Sequence, residues 1–250
     1  MNLTATIAAA PPLPASGPVI PTFGKSSCPS DGSFCWSWVG QHWGNTLAPA
    51  LIQHIYIVLI AVAFGLVITM IAALIAYRFG WFEKGFSAFS TLLYTIPSLA
   101  FFLLFVPISG IGLTTVELGL TGYTFLLLFR NTVTGLHSAP PEAIAAATGM
   151  GMTPRQVLFR INLPLAIPAI MAGLRISLVT AISLATIAAD VTPLGLGAPI
   201  FEGLGNNDFT TELVSAGVLA IALALVADAL LVLLRRLVTP WIRAQAKGVG

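Results

Sequence analysis

The sequence predicts an all-α membrane protein with five transmembrane helices. Its 250 residues are 57% hydrophobic and only 8% charged, whereas soluble domains carry roughly 25% charged residues. Several apolar stretches are long enough to cross a hydrocarbon core of about 30 Å as helices. Lys and Arg concentrate in alternate loops, as in membrane proteins of fixed orientation. This composition excludes a soluble globular domain, a disordered chain and a coiled coil.

The spans follow from the apolar stretches and from the breaks between them. Residues 55–76 contain no charge and form the first span. A longer uncharged stretch, 86–116, is interrupted by Pro107 and Gly110, which predict a turn and hence two spans. The last two stretches contain one charge each. The five predicted spans are 55–76, 87–107, 113–129, 163–189 and 213–234.

The cations predict that the N-terminus lies outside and the C-terminus inside a plasma (inner) membrane. Cations in short loops are retained on the cytoplasmic side. On the opposite side, Lys25 is the only cation among loops that carry mainly acidic residues. Nine of the eleven cations share the predicted cytoplasmic side: Arg78, Lys84, Arg130, Arg155, Arg160, Arg235, Arg236, Arg243 and Lys247.

The chain divides into three parts. Residues 1–46, rich in Pro, Ser and Gly, are expected to form an extracytoplasmic extension. Residues 47–237 form the transmembrane domain, and 238–250 a cytoplasmic tail. The extension holds both cysteines, Cys28 and Cys35, which on an oxidising face either form a disulfide or remain two free thiols.

The cytoplasmic loop between spans three and four predicts two short helices joined by a glycine bend. Ser138 is the expected cap of the first helix, because its hydroxyl can accept a bond from a free backbone N–H. Gly149 and Gly151 end this helix. Thr153, followed by proline, starts a second helix that runs towards Ile161. Two helix starts in one loop indicate a structured element.

Five apolar side chains of this loop would be exposed unless another surface covers them. One interpretation is insertion into a groove of a partner subunit, with polar edges from Arg155 and Arg160. The other is an amphipathic helix that folds back under the chain's own spans. The five residues are Met150, Met152, Val157, Leu158 and Phe159.

The loop also carries a spacing pattern: an alanine pair, three residues, a glycine, nine residues, an isoleucine, one residue and Leu-Pro. The matching positions are Ala146, Ala147, Gly151, Ile161, Leu163 and Pro164. This pattern resembles the Glu-Ala-Ala loop of permease subunits in ABC importers. Ala145 stands where that family has Glu, and the nearest carboxylate, Glu142, lies one helical turn earlier.

Further segments resemble the osmoprotectant branch of that family, the permeases for glycine betaine, carnitine and choline. They are residues 96–100, 130–136, 149–153, 195–197, 200–201 and 203–204. The resemblance implies a type I (MetI-like) permease fold. It also implies a second permease subunit, identical or paralogous, two ATPase subunits docked on loop 138–162, and an external substrate-binding protein. Membrane lipids are expected neighbours, and nucleic acid is not an expected partner.

The resemblance further implies a transport subunit and not an enzyme. The sequence lacks a phosphate-cradling Gly-rich loop, so ATP and Mg would be bound by the partner ATPases. Its three histidines are too scattered to predict a metal site. Contact with the ATPase, or transmission of its motion, is implied for Glu142, Ala145, Ala146, Ala147, Gly149, Gly151, Arg155, Ile161, Leu163 and Pro164.

Three charges at membrane depth are candidates for the translocation path. Arg175 and Asp228 are predicted to pair across spans four and five, in a packing role or in contact with solute. Glu117, near the outer end of span three, either attracts a cationic solute or faces external water. The outer loop 190–212 is expected to contain a half-inserted gate segment, or else a docking surface for the binding protein. Its candidate residues are Asp190, Gly195, Gly197 and Phe201.

The implied function is ATP-driven import of a small quaternary-ammonium osmoprotectant. The tyrosines are dispersed along the spans, so the sequence predicts no aromatic cage for such a cation. One alternative is a secondary transporter or channel driven by an ion gradient, with Glu117, Arg175 and Asp228 as coupling residues. Another is a membrane scaffold whose loop only docks a partner.

Overall fold

The computed structural model describes residues 34–205 and 210–240, and within them every regular element is a helix. Two five-residue π-helical turns, Trp43–Leu47 and Leu158–Asn162, join α1 to α2 and α7 to α8. The helices are α1 (Trp36–His42), α2 (Ala48–Arg78), α3 (Gly80–Thr95), α4 (Ser98–Ser109), α5 (Leu113–Leu136), α6 (Pro141–Gly149), α7 (Pro154–Val157), α8 (Leu163–Ala188), α9 (Gly197–Gly205) and α10 (Thr210–Val238).

Three continuous helical stretches in the described residues are long and apolar enough to cross a membrane. They are Trp36–Arg78, Pro154–Ala188 and Thr210–Val238. They contain or largely cover the first, fourth and fifth predicted spans. The bent pair α3–α4 raises the number to four if it counts as one span. Helix α5 covers the third predicted span without being among these candidates, so the count of five stays a prediction.

The predicted span 87–107 is not one straight helix in the structure. The chain bends by 103° between α3 and α4. Pro97 disfavours helical backbone at the preceding residue, and Ile96 is indeed extended, with φ −70° and ψ 131°. The hydroxyl of Tyr123 on α5 donates to the Ile96 carbonyl that this break releases. The expected turn after α4 is present, with Gly110 at φ +73°.

Helix α5 lies at the centre of the packed helices, between α2 and α8. Phe129 of α5 packs with Ala73 of α2 and Ala166 of α8 in one buried cluster. Leu120 of α5 and Ile182 of α8 belong to a second cluster. Lipid is as apolar as these side chains, so the helices associate through close packing more than through a hydrophobic driving force. Helix α5 is the least apolar of the long helices, and its central position explains why it has more buried residues than α2, α8 or α10.

Helix α10 lies at the edge and contacts mainly α8 and α9. Only 6% of its most apolar stretch is buried within the chain, against 44% for the helix Trp36–Arg78. The remaining surface of α10 is therefore available to lipid or to another subunit.

Candidate functional site

The loop after α5 forms the helical hairpin that the sequence predicts. Helix α6 ends at Gly149, and Gly151 reverses the chain in the left-handed region, with φ +80°. The backbone N–H of Met152 donates to the Ala147 carbonyl at 3.1 Å and closes the turn. Thr153 and Gln156 form a capping box at the start of α7, which satisfies two backbone N–H groups reciprocally.

Two details of the hairpin differ from the prediction. Ser138 does not cap α6, because its hydroxyl donates to the Gly135 carbonyl at 2.7 Å, and Pro140 occupies the cap position instead. The second helix does not give way to a separate span at Pro164. The helix runs without a break over Pro154–Ala188. The π-helical turn just before Pro164 lets it continue, since Leu163 donates to the Leu158 carbonyl one residue further back than usual.

The hairpin presents an exposed surface that mixes apolar and charged side chains. Met150 and Phe159 are 73% and 53% exposed. Val157 is buried within the chain, so it needs no partner subunit to cover it. Among the predicted contact residues, the exposed ones are Glu142, Ala145, Ala146, Gly149, Gly151 and Arg155, Ala147 is buried, and Ile161, Leu163 and Pro164 are half-buried.

A buried polar contact, which no sequence pattern indicated, ties the hairpin to the helices behind it. Asn162, 1% exposed, donates from Nδ2 to the Tyr77 hydroxyl of α2 at 2.6 Å. The Tyr77 ring stacks on His137 at the end of α5, with 5.5 Å between centroids. The exit of the hairpin is thus fixed to both α2 and α5. The one sequence feature that could have predicted this contact is a polar residue, Asn162, directly before Leu163 and Pro164.

Arg175 of α8 and Asp228 of α10 form the predicted ion pair. The Arg175 Nε donates to Asp228 Oδ1, and Nη2 donates to Oδ2 at 2.7 Å, so the contact is bidentate. The side chains remain 47% and 29% exposed. They line a cavity of about 680 Å³ between α8 and α10. Neither residue has a described contact with Glu117, which is half-buried on α5. The three charges therefore do not form one cluster within the described residues.

Polar residues continue from this pair along one face of α8. We call Arg175, Ser183 and Thr186 the polar stripe, since their spacing places them on the same side of the helix. All three are exposed or half-buried. Asp190, exposed just beyond the helix end, extends the stripe. Arg235 lines the cavity near the C-terminal end of α10. The polar side chains of this face of α8 therefore lie in the second half of the helix, from residue 175 onward.

The segment between α8 and α9 is held by two residues of α2 that sequence reasoning missed. The Gly195 N–H donates to Gln53 Oε1 at 2.8 Å, and the Leu196 N–H donates to His54 Nδ1 at 3.2 Å. The fully buried His54 lies 3.2 Å from the Ile182 carbonyl through Nε2. Because Nδ1 accepts, the ring proton is on Nε2 and is donated to that carbonyl.

The predicted gate residues are distributed along this segment. Gly195 adopts φ +62° in the turn. A Cβ on Gly197 would overlap the Thr186 carbonyl, so α9 starts in direct contact with α8. Phe201 is half-buried within α9. The structure thus packs Gly195 and Gly197 against α2 and α8, whereas Asp190 stays exposed.

The predicted disulfide falls partly outside the described residues, because Cys28 precedes residue 34. Cys35 is buried, and its N–H donates to Thr211 Oγ1 at 3.0 Å, which ties the start of α1 to α10. The disulfide stays a prediction. Over residues 34–205 and 210–240, no group of three or more His, Cys, Asp or Glu residues is placed to hold a metal ion.

Buried packing around α5, long apolar helices and an exposed hairpin at one end are the features of a polytopic membrane protein with a surface for a partner. The sequence profile of the family described as binding-protein-dependent transport system inner membrane component matches residues 65–244. The chain belongs to this family. It is a multi-pass permease component of an ABC importer, and ATP hydrolysis resides in partner ATPases. This membership favours the ABC importer over a gradient-driven transporter.

Individual relatives agree with this assignment. The chain is 35% identical to the glycine betaine/carnitine/choline transport system permease protein OpuCB of Bacillus subtilis (strain 168), over 75% of this chain and 86% of the relative. It is 45% identical to the ergothioneine transport permease/ergothioneine binding protein EgtU of Helicobacter pylori (strain G27), over 52% of this chain but only 23% of that protein's length.

A solved structure shares the fold. An inward-facing MetNI methionine ABC transporter matches with a TM-score of 0.70 and 22% identity, over 80% of this chain and 98% of the matched chain. Membership of the permease family implies ATPase and substrate-binding partners for this chain.

Proposed function

We propose that this chain is the permease of an ATP-driven importer for a small quaternary-ammonium osmoprotectant of the glycine betaine, carnitine or choline type. The observation that carries this proposal is the 35% identity to the Bacillus subtilis permease named for those three solutes, over most of both chains. The specific assembly contains two ATPase subunits, a second permease subunit and an external binding protein.

The hairpin α6–α7 is the proposed docking site for the ATPase. Its exposed Met150 and Phe159 supply apolar contact, and the exposed Glu142 and Arg155 supply polar edges. Exposed apolar groups of this size favour a protein partner. We take the partner to be the ATPase, because the hairpin carries the loop pattern of ABC permeases.

Motion of the hairpin α6–α7 is transmitted to the membrane-spanning part of the chain through one rigid helix. The continuous helix Pro154–Ala188 has 35 residues and is about 50 Å long. Its first turn belongs to the hairpin, and its middle carries Arg175. The contact between Asn162 and Tyr77 is the proposed pivot point about which this helix tilts. A displacement at the hairpin would therefore tilt the polar stripe on the opposite side of that contact.

The polar stripe and the segment 195–201 form the proposed path and its gate. Hydroxyl and charged groups on an exposed face of a membrane helix are favoured where they line water or protein. The segment 195–201 is too short to span and is shielded by α2, α8 and α10, which suits a gate. Docking of the binding protein on this segment is the alternative.

Orientation follows from the distribution of cations. The N-terminus lies outside and the C-terminus inside, so the hairpin is cytoplasmic and α9 lies near the outer face. Residues 1–46 would then be extracytoplasmic, residues 47–237 the transmembrane domain and residues 238–250 the cytoplasmic tail.

The function is tested by uptake into proteoliposomes that contain the whole complex and enclose ATP. We expect accumulation of labelled glycine betaine, carnitine or choline that requires ATP and the binding protein and that persists when ionophores dissipate ion gradients. Uptake without ATP, driven by a proton or sodium gradient, would contradict the proposal. ATP-driven uptake of other solutes alone would reject the substrate class and retain the importer.

A further inference from the structure

The Arg175–Asp228 pair occupies an unusual position for a structural ion pair. Asp228 precedes Arg235 by seven residues, which places it about 10 Å further along α10. Both side chains are partly exposed on the surface of this chain, at the wall of the cavity between α8 and α10. An ion pair that only held two helices together would not need to be exposed beside a cavity.

This surface is unsuited to lipid. Charged groups at membrane depth face protein or water, because hydrocarbon cannot solvate them. The pair is also not isolated, since Ser183 and Thr186 follow on one side and Arg235 on the other. Polar groups spaced along one face of a membrane helix are expected where that face borders water or protein.

The cavity combines one carboxylate, Asp228, and three arginines, Arg175, Arg235 and Arg236, with apolar walls. Met171, Ile176 and Leu231 line it together with the ion pair. A guanidinium binds a carboxylate in a bidentate fork, and a carboxylate attracts a quaternary ammonium. Apolar walls suit the N-methyl groups of such a cation. The volume of about 680 Å³ falls within the usual range of small-molecule sites.

We propose that Arg175 and Asp228 form a transient binding site for a zwitterionic solute by exchanging their mutual contact for contacts with the solute. The Arg175 guanidinium takes the solute carboxylate, and the Asp228 carboxylate takes its quaternary ammonium. When the solute leaves, the two side chains close on each other, so neither charge is left unpaired. This inference rests on the proposed function and names the residues that recognise the substrate within the membrane.

The test compares import by the whole complex in proteoliposomes, with glycine betaine and choline as the solutes. Choline has the quaternary ammonium but no carboxylate. We expect Arg175→Gln to lower betaine import about tenfold more than choline import, because a charge-assisted bidentate contact is lost only for betaine. Asp228→Asn should lower import of both solutes. Equal losses of both solutes in R175Q would overturn the inference.

A second variant separates binding from packing. The neutral pair R175Q/D228N can keep a hydrogen bond between α8 and α10 without either charge. We expect this double variant to assemble with the ATPases as the wild type does, while its import of betaine stays about tenfold lower. Recovery of import in the double variant relative to the single variants would assign the pair to packing and overturn the proposal.

Two controls complete the experiment. Arg78→Gln removes an exposed arginine of α2 outside the cavity and should leave the ratio of betaine to choline import unchanged. A wild-type complex that imports neither solute would reject the proposed function and the inference with it. A wild type that imports both, with unselective variants, would reject the inference alone.

Discussion

At the scale of single residues, the charge expected from the permease family is displaced by one helical turn. Ala145 stands at the family's Glu position and is exposed, and so is Glu142. We expect Glu142→Gln to weaken attachment of the ATPase, and the double variant E142Q/A145E to restore it, because an exposed glutamate at 145 has no burial penalty. The measurement is the amount of ATPase that co-purifies with each variant. Unchanged co-purification in E142Q would remove Glu142 from the contact.

His54 is the residue whose loss we expect to disturb the outer segment most. His54→Leu would leave the Leu196 N–H and the Ile182 carbonyl without their buried partner. The Ile182 carbonyl keeps its bond within α8, but the buried Leu196 N–H would be unsatisfied, which costs about 1–3 kcal/mol, so the variant should unfold at lower denaturant concentration in detergent. The control is His42→Leu, since His42 is half-buried and, among the described residues, its Nδ1 bonds to Trp38 O of its own helix. Equal stability of the two variants would refute the role of His54.

Sequence reasoning could not find His54, although it found the Arg175–Asp228 pair. The partners of His54 are 128 and 142 positions away along the chain, and no local pattern marks a histidine that bonds to backbone. Two opposite charges in otherwise apolar helices, by contrast, have few other ways to be satisfied. A charge within apolar helices has few possible partners, whereas a histidine can bond to any backbone group, so only the ion pair was predictable from the sequence.

At the scale of elements, the hairpin was predictable because its signals are local. Proline after Thr153 and the glycines at 149 and 151 predicted the helix start and the bend that the structure contains. The bend between α3 and α4 was missed, although Pro97 lies within the predicted span. At the bend, Tyr123 donates to the Ile96 carbonyl from another helix, and no local pattern indicates this contact. Proline alone predicts a break and not its geometry.

The two glycines of the hairpin provide a matched pair of variants. Gly151 has φ +80°, whereas Gly149 is the last residue of α6. A Cβ added to either glycine would meet no heavy atom within 4 Å, so the comparison isolates backbone conformation. We expect Gly151→Ala to destabilise the bend by about 1–2 kcal/mol and Gly149→Ala to be neutral or stabilising.

Hydrogen exchange of the hairpin amides measures this difference. Faster exchange in G151A than in the wild type, with no such change in G149A, is the expected result. If both variants exchanged alike, the left-handed bend would have no part in holding the hairpin together.

At the scale of the whole molecule, one long helix connects the exposed hairpin to the ion pair and to the polar stripe. Helix α5 and the contact between Asn162 and Tyr77 hold this helix in place. Helix α10 leaves most of its surface uncovered, as expected of a subunit that works beside another one. The proposed function therefore requires that a separate ATPase moves the hairpin.

The most direct test of that dependence is ATPase retention by a chain carrying Met150→Glu. Met150 is 73% exposed at the bend, so a charge there should fold normally but disrupt an apolar contact. Asn45→Glu is the control, because Asn45 is exposed near the start of the helix Trp36–Arg78. It lies far along that helix from Tyr77, which contacts the hairpin exit. We predict that M150E loses the co-purified ATPase and solute accumulation, while N45E keeps both. Full retention of the ATPase and full accumulation in M150E would contradict a hairpin driven by the ATPase.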